Sequence, residues 1–502
     1  MLKSELVADL SLPKRFEILE RKTKENKADI TSIVKQVEDA SEEVNRLLLQ
    51  VKSGGLGRFV FFLGKSGSGK TTFLRTLPHF FKNIDVFPIE KIVDLLKIPE
   101  IIKSYANSKQ KLFVIHGRDN PDASIDDKIS LFFEELRVLF REVEGEVLII
   151  WPITDEVRAE NYAKVAWNIG RESVVPLSGA IYHFKGLDKS LFYDVADTTT
   201  RNLNGGESLE AFGITKEGIA SDILCVTTIS EYYSIIEQKS FEINNKTWSV
   251  LEKRVIPKVW ILLPGDDSTE LDRTVRTLTQ GTRNKIDIDR LCEYLDSPEN
   301  KSMYLNAWRE RRSSIAYLMR VFDVRVFEVN PRLALSAVRT FGNEEIKNLL
   351  KFKTANEDGC IELVKRSRFY TSLVNSDKAS TRATVATGED TANEYKRIQQ
   401  YAAKNDKPLN KALALAVKKT LDLDEFTNEV ISEKKSLKGT NLQPDLQIQL
   451  TDQIVFCLEP TWRTTGSEVV GEIEKKQNTL TPGHIQKYIL EKVIEYVKEF
   501  GY

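Results

Sequence analysis

The sequence predicts an α/β fold, built as a parallel sheet with helices on both faces, a helical extension and a smaller carboxy-terminal α/β domain. Three observations predict it. Apolar runs such as "RFVFFLG", "KLFVIHG" and "EVLIIWPIT" alternate with amphipathic stretches such as "KISLFFEELRVLFREVE". Near-continuous apolar strands separated by helices are the mark of a parallel sheet buried on both faces. A glycine-rich loop, "GKSGSGKT" at 64–71, directly follows the first of these runs and precedes a helical pattern. A second strand-rich stretch, "DLQIQL" then "QIVFCLEPTW", lies near the carboxy terminus.

The elements follow in order. Residues 1–50 form an amino-terminal helical segment, with Ile30, Ile33, Val34, Val37, Val44 and Leu47 at roughly helical spacing. "SGGLG" then breaks the pattern, and the parallel-sheet domain runs over 51–270, with "GAIYHF" and "KVWILLPG" as further strands. Residues 271–370 are a helical, arginine-rich extension. The polar stretch 371–396 reads as a linker, and 397–502 as the second α/β domain, closed by the helix "GHIQKYILEKVIEYVKEF".

Composition bounds the function. A chain of 502 residues with 41% hydrophobic and 29% charged residues is globular and long enough for two to four domains. A net charge of -1 argues against a uniformly basic surface, though not against a local basic groove. Cys225, Cys292, Cys360 and Cys457 are widely spaced, and the chain has only four histidines, so a zinc site of ordinary spacing is not expected. No apolar run of about 18 residues is present, and charges interrupt the amino-terminal stretch where a signal peptide would be apolar. A cytoplasmic protein with reduced thiols and no membrane contact is expected.

The loop carries the clearest chemistry. Its glycines let successive backbone N–H groups face an anion, Lys70 reaches the outer phosphates, and the Thr71 hydroxyl suits Mg2+. The helix that starts here aims its positive end at the same place. With every position of G-x-x-x-x-G-K-[ST] filled, this region resembles the P-loop NTPase superfamily. That resemblance implies ATP and Mg2+ as cofactors, held by Gly64, Lys65, Ser66, Gly67, Ser68, Gly69, Lys70, Thr71 and Thr72. It also implies an aspartate at the end of a neighbouring strand as the metal's partner; Asp119, in "HGRDNPD", is preferred. Thr154 or Asp155, after "EVLIIWPI", then contacts the γ-phosphate or the attacking water. No glutamate follows an aspartate at either strand end, so the base that activates water is unidentified. Arg273, Arg276, Arg283, Arg309, Arg311 and Arg312 are candidates to supply charge from a neighbouring subunit in a homo-oligomer. No Asn-Lys-x-Asp motif is present, and the choice between ATP and GTP stays open.

In the carboxy-terminal stretch, Asp445 starts one strand and Glu459 lies toward the end of the next, an arrangement in which two carboxylates converge on a divalent cation. With Pro444 and the flanking helices, this resembles the PD-(D/E)XK nuclease superfamily, which implies Asp445 and Glu459 as metal ligands and nucleic acid as substrate. Glu429 occupies the place of a further acid. The lysine that this pattern places two residues after the glutamate is Thr461 here; Arg463, Lys475, Lys476 or Lys487 are the candidate replacements.

Together these resemblances imply an ATPase coupled to a nuclease-like or DNA-binding effector domain, a build associated with prokaryotic restriction or antiphage defence. Two alternatives stand beside it. One is a nucleotide-dependent switch or scaffold for partner proteins, with an inactive nuclease-like domain. The other is a small-molecule phosphotransferase using Asp119.

Overall fold

In the computed structural model each apolar run of the first half becomes a strand: β1 (Arg58–Leu63), β2 (Asp85–Ile89), β3 (Lys111–Ile115), β4 (Val147–Ile153) and β5 (Ile181–His183). They form one sheet in the order β2-β3-β4-β1-β5, with every neighbouring pair parallel. The structure describes residues 10–500 apart from 83, 106–109, 144–146, 252–254, 281–283, 297–308, 310, 375–385, 427–428, 433–435, 450–453, 466–467, 471–472 and 476–478.

Side chains alternate across a strand, so a continuous apolar run needs cover on both faces. On one face Phe59, Phe61, Phe113, Ile149 and Trp151 pack with residues of α5 (Ile98–Ser104), α6 (Ala123–Asp126), α7 (Ile129–Glu142) and α8 (Glu156–Gly170). On the other, Val60, Phe62, Leu112, Val114, Leu148 and Ile150 meet α3 (Glu38–Gly54) and α4 (Lys70–Phe80). Removing one of these fully buried aromatic rings would cost about 3–5 kcal/mol. The amino-terminal segment is three helices, α1 (Phe16–Glu25), α2 (Ile30–Ile33) and α3, rather than one. Its apolar residues Val44 and Leu47 are covered by the chain's own sheet.

The chain divides into two units. The first is Leu10–Gly205 with Lys216–Lys239; the second contains Gly206–Thr215 and Ser240–Tyr502. The first therefore also holds α9 (Phe192–Leu203), α10 (Lys216–Cys225) and the start of α11 (Ile229–Leu251). The second holds a seven-stranded mixed sheet in the order β10-β11-β12-β6-β9-β8-β7. Its central strands β12 (Ile454–Pro460), β6 (Ile256–Pro264) and β9 (Arg325–Val329) are parallel. On one edge lie the antiparallel β10 (Glu429–Ser432) and β11 (Leu446–Gln449); on the other lie the short β7 (Thr279–Gln280) and β8 (Lys285–Ile286).

This differs from the expected division at 270. "KVWILLPG" is β6, a central strand of the second sheet, and its partner β12 lies some two hundred residues later. An apolar strand looks alike in either sheet, and only the non-local pairing decides. The expected linker is also shorter: a helix spans Glu389–Ala402, across the boundary placed at 396.

Candidate functional site

Parallel strands put their carboxy-terminal ends on one edge, and the order of the first sheet brings the ends of β3, β4 and β1 side by side there. Gly64 leaves β1 with its N–H donating to Ile153 O at 3.1 Å, so the phosphate loop is tied to the end of β4. A Cβ at Gly64 would stand 2.7 Å from the backbone oxygen of Phe184, which leaves no room for a side chain. Gly69 caps α4 with φ 93°, a conformation that L side chains rarely adopt. The helix then begins at Lys70, and its first N–H groups have no partner within the helix.

Around this loop is a cavity of about 610 Å3, lined by Lys65 through Phe73 and by Asp119, Asn120 and Thr154. Lys70 is 5% exposed. Its ammonium donates to the carbonyls of Gly64 and Lys65 and to Thr154 Oγ1 at 3.3 Å. The Thr154 N–H donates to Asp119 O at 2.7 Å, holding the ends of β3 and β4 together. Burial pushes the Lys70 pKa down, and the nearby Asp119 carboxylate opposes it. Burial pushes the Asp119 carboxyl up, Lys70 pulls it back, and the charge of Glu17 pushes it up again.

Whether these residues suit a nucleotide with its metal is tested by their polar balance. Among the described residues Ser68 Oγ and Asp119 Oδ1 are buried and have no hydrogen-bond partner, in a protein interior where nearly all such atoms are paired. Both residues line the cavity, beside a buried ammonium. A hydroxyl, a row of backbone N–H groups, a lysine and an adjacent carboxylate match a Mg2+-bound phosphate chain in both charge and donor type. The residues fit.

The expected loop residues Gly64 to Thr72, with Asp119 and Thr154, are thus brought together, and Asp155 is not. Its carboxylate caps α8, accepting from Arg158 N at 3.0 Å, and pairs with the Arg158 guanidinium at 3.0 Å. An acid one residue past Thr154 turns into the helix rather than toward the phosphates, so its role is structural. The arginines singled out for subunit charge donation are engaged locally. Arg273 pairs with Glu270, Arg276 with Asp272, and Arg312 with Glu210 and Asp296, while Arg309 donates to Leu295 O. Arg283 lies outside the described residues. The motif reading missed part of the cavity lining, which also includes Lys14, Arg15, Phe16 and Glu17 of the amino-terminal segment with Thr199 and Tyr233. No local spacing signals a wall contributed by the start of the chain.

In the second unit, β11 and β12 are antiparallel with Leu446 opposite Leu458. Asp445 and Glu459, one step beyond on either strand, therefore fall on the same face of the sheet. Leu446, Ile448 and Leu458 enter the core on the other face. Glu459 is 1% exposed. Tyr496 OH donates to its Oε1 at 2.7 Å, and Lys492 Nζ stands 3.3 Å from its Oε2. Burial works against the Lys492 ammonium, but Glu459, Glu495 and Asp445 together outweigh it and raise its pKa. Burial likewise raises the Glu459 carboxyl, with Lys492 opposing. The expected metal ligand Glu459 is thus committed to an internal ion pair. Among the described residues no three His, Cys, Asp or Glu side chains gather into a metal cluster. The lysine beside Glu459 is Lys492, not the proposed replacements. Arg463 donates to Thr461 Oγ1 and lies over Tyr488, while Lys487 faces Glu491. Lys476 lies outside the described residues, and the side chains of Lys475 and Glu429 are not described. One sequence signal was available: Lys492 falls on the stripe Ile489, Val493, Tyr496, where the helix Pro482–Glu499 is buried.

Among the described residues no helix is long and apolar enough to cross a membrane. No protein-family model and no curated protein matches the chain. Among solved structures it is similar to the Orc1 protein of Aeropyrum pernix in complex with DNA, at 11% identity and a TM-score of 0.26, over 57% of this chain and 84% of that one. At that level neither fold nor activity transfers, and the reading of the site rests on its own geometry.

Proposed function

We propose that the first unit binds ATP with Mg2+ and hydrolyses it. The observation that carries this is the convergence of Lys70, Asp119 and Thr154 on the phosphate loop, with Ser68 Oγ and Asp119 Oδ1 buried beside it and unpartnered among the described residues. When bound, the metal neutralises phosphate charge and orients the outer phosphates. Thr71 is the residue to hold it directly and Asp119 to hold it through water, Lys70 the one to reach the outer phosphates, and Thr154 the one to fix the γ-phosphate or the water.

The second unit is then the effector, in the cytoplasm, with DNA or another nucleic acid as its partner and a role in restriction or defence. That part rests on the resemblance of the Asp445–Glu459 hairpin to nucleases. The burial of Glu459 against Lys492 and Tyr496 favours the second reading, a nucleotide-dependent switch in which the nuclease-like face is structural and the partner is a protein. Steady-state ATP turnover by the full chain, with and without linear DNA and Mg2+, tests both. Turnover stimulated by DNA supports the first reading. Turnover that DNA neither stimulates nor suffers cleavage from supports the switch, and no turnover with no ATP binding overturns both.

A further inference from the structure

Hydrolysis needs a group that takes a proton from the attacking water, and neither strand end offers one. Asn120 follows Asp119, Asp155 is tied to Arg158, and Asp119 itself is beside the Lys70 ammonium.

The amino-terminal segment offers a carboxylate. It is fastened to the first unit by side chains distant in sequence. Ser11 N donates to Asn204 Oδ1 at 2.9 Å, and Asn204 Nδ2 returns a bond to Ser11 O at 3.2 Å. Lys14 pairs with Glu237 at 2.5 Å. Phe16 and Leu19 are buried, Leu19 in a cluster with Ile33, Val34 and Leu203. These anchors fix the first turn of α1, where Glu17 stands between them on the wall of the nucleotide cavity. Its charge raises the Asp119 carboxyl, which lines the same cavity. Among the described residues the Glu17 carboxylate has no hydrogen-bond or ion-pair partner, so neither of its oxygens is already committed. The same wall carries Lys14 and Arg15, and with Lys35, Lys65 and Lys70 the cavity presents five cations against two acids. A carboxylate can therefore sit there without repelling a polyphosphate.

We propose that Glu17 is the general base of ATP hydrolysis, supplied by the amino-terminal helix in place of an acid on β3. The inference rests on the nucleotide-site reading above. The water oxygen bonds to the γ-phosphorus as the bond from that phosphorus to the β,γ-bridging oxygen breaks. One water proton passes to the Glu17 carboxylate and on to solvent; the other stays on the phosphate. The bridging oxygen keeps the bonding pair and leaves with ADP.

The test uses the full chain and two variants, Glu17→Gln and Glu17→Asp, with ATP affinity measured separately from turnover. Loss of a positioned base lowers kcat by about 10²- to 10⁴-fold. We expect that loss in Glu17→Gln, with ATP affinity within about twofold of wild type. Glu17→Asp should recover part of the rate. Because Glu17 is exposed, the isosteric change leaves folding intact. Wild-type kcat in Glu17→Gln, or a raised KM with kcat kept, overturns the role of Glu17 while the site reading stands. Failure of the wild-type chain to bind ATP–Mg2+ overturns both.

Discussion

Replacing Lys492 by Met removes the only cation within ion-pair distance of Glu459 among the described residues, leaving a carboxyl that is 1% exposed with Tyr496 as its remaining partner. The cost is bounded by the cheapest escape, which is protonation of Glu459. From its ordinary value of 4.5, neutralising the group at pH 7 costs about 3.4 kcal/mol at 1.36 kcal/mol per unit. This agrees with the roughly 3–5 kcal/mol found when one partner of a buried pair is removed. In the variant the folded-state pKa lies above the unfolded one. Because burial also raises Glu459 in the wild type, the loss relative to wild type is absent at low pH and grows as pH rises above the wild-type value, by at most about 1.4 kcal/mol per unit. Calorimetric unfolding of both proteins between pH 5 and 7.5 measures this. The double variant Glu459→Gln, Lys492→Met should recover most of the loss, because no buried charge is left. A penalty under about 1 kcal/mol at pH 7, or one that does not change with pH, would refute the buried-pair reading and leave Glu459 available to a metal.

Two further outcomes follow. His116, buried just after β3, has its pKa pushed down to about 4 by burial and by Arg75. Between pH 6.5 and 4 the unfolded chain binds the extra proton, so stability present above pH 6.5 should fall by about 3 kcal/mol as pH drops to 4, and His116→Gln should flatten that slope in unfolding measurements. Asp119→Asn should weaken the apparent Mg2+ affinity or the rate of ATP hydrolysis by about 10- to 100-fold, the usual effect of losing a group that supports a metal from beyond its direct ligands; a Mg2+ titration of turnover that matches wild type would exclude the assignment.

Much of the first unit was legible in the sequence because its signals are local. The run Phe59–Leu63, the loop at 64–71 and the helix after it adjoin one another, and each residue type has a steric or electrostatic reason to be there. Asp119 and Thr154 were expected beside the loop because parallel strands end on one edge, and they line the same cavity. What escaped was set by pairings that no motif displays. β6 reads as one more strand of the first sheet until β12 claims it, and Asp155 reads as a phosphate contact until Arg158 turns it into a cap. Glu459 reads as a metal ligand until Lys492 and Tyr496, from a helix one turn after another, close on it. In each case a short motif names a residue type, and the partner that the fold supplies, three residues on for Asp155 and far along the chain for β6 and Glu459, decides what the residue does.

The most direct test of the nucleotide site is calorimetric titration of ATP–Mg2+ into the full chain and into Lys70→Ala. Truncating one partner of a buried, hydrogen-bonded charge pair costs about 2–5 kcal/mol, so the account predicts saturable binding by wild type and an affinity at least roughly 30-fold weaker in the variant. Equal affinity in the two proteins, or no binding by wild type, would contradict it.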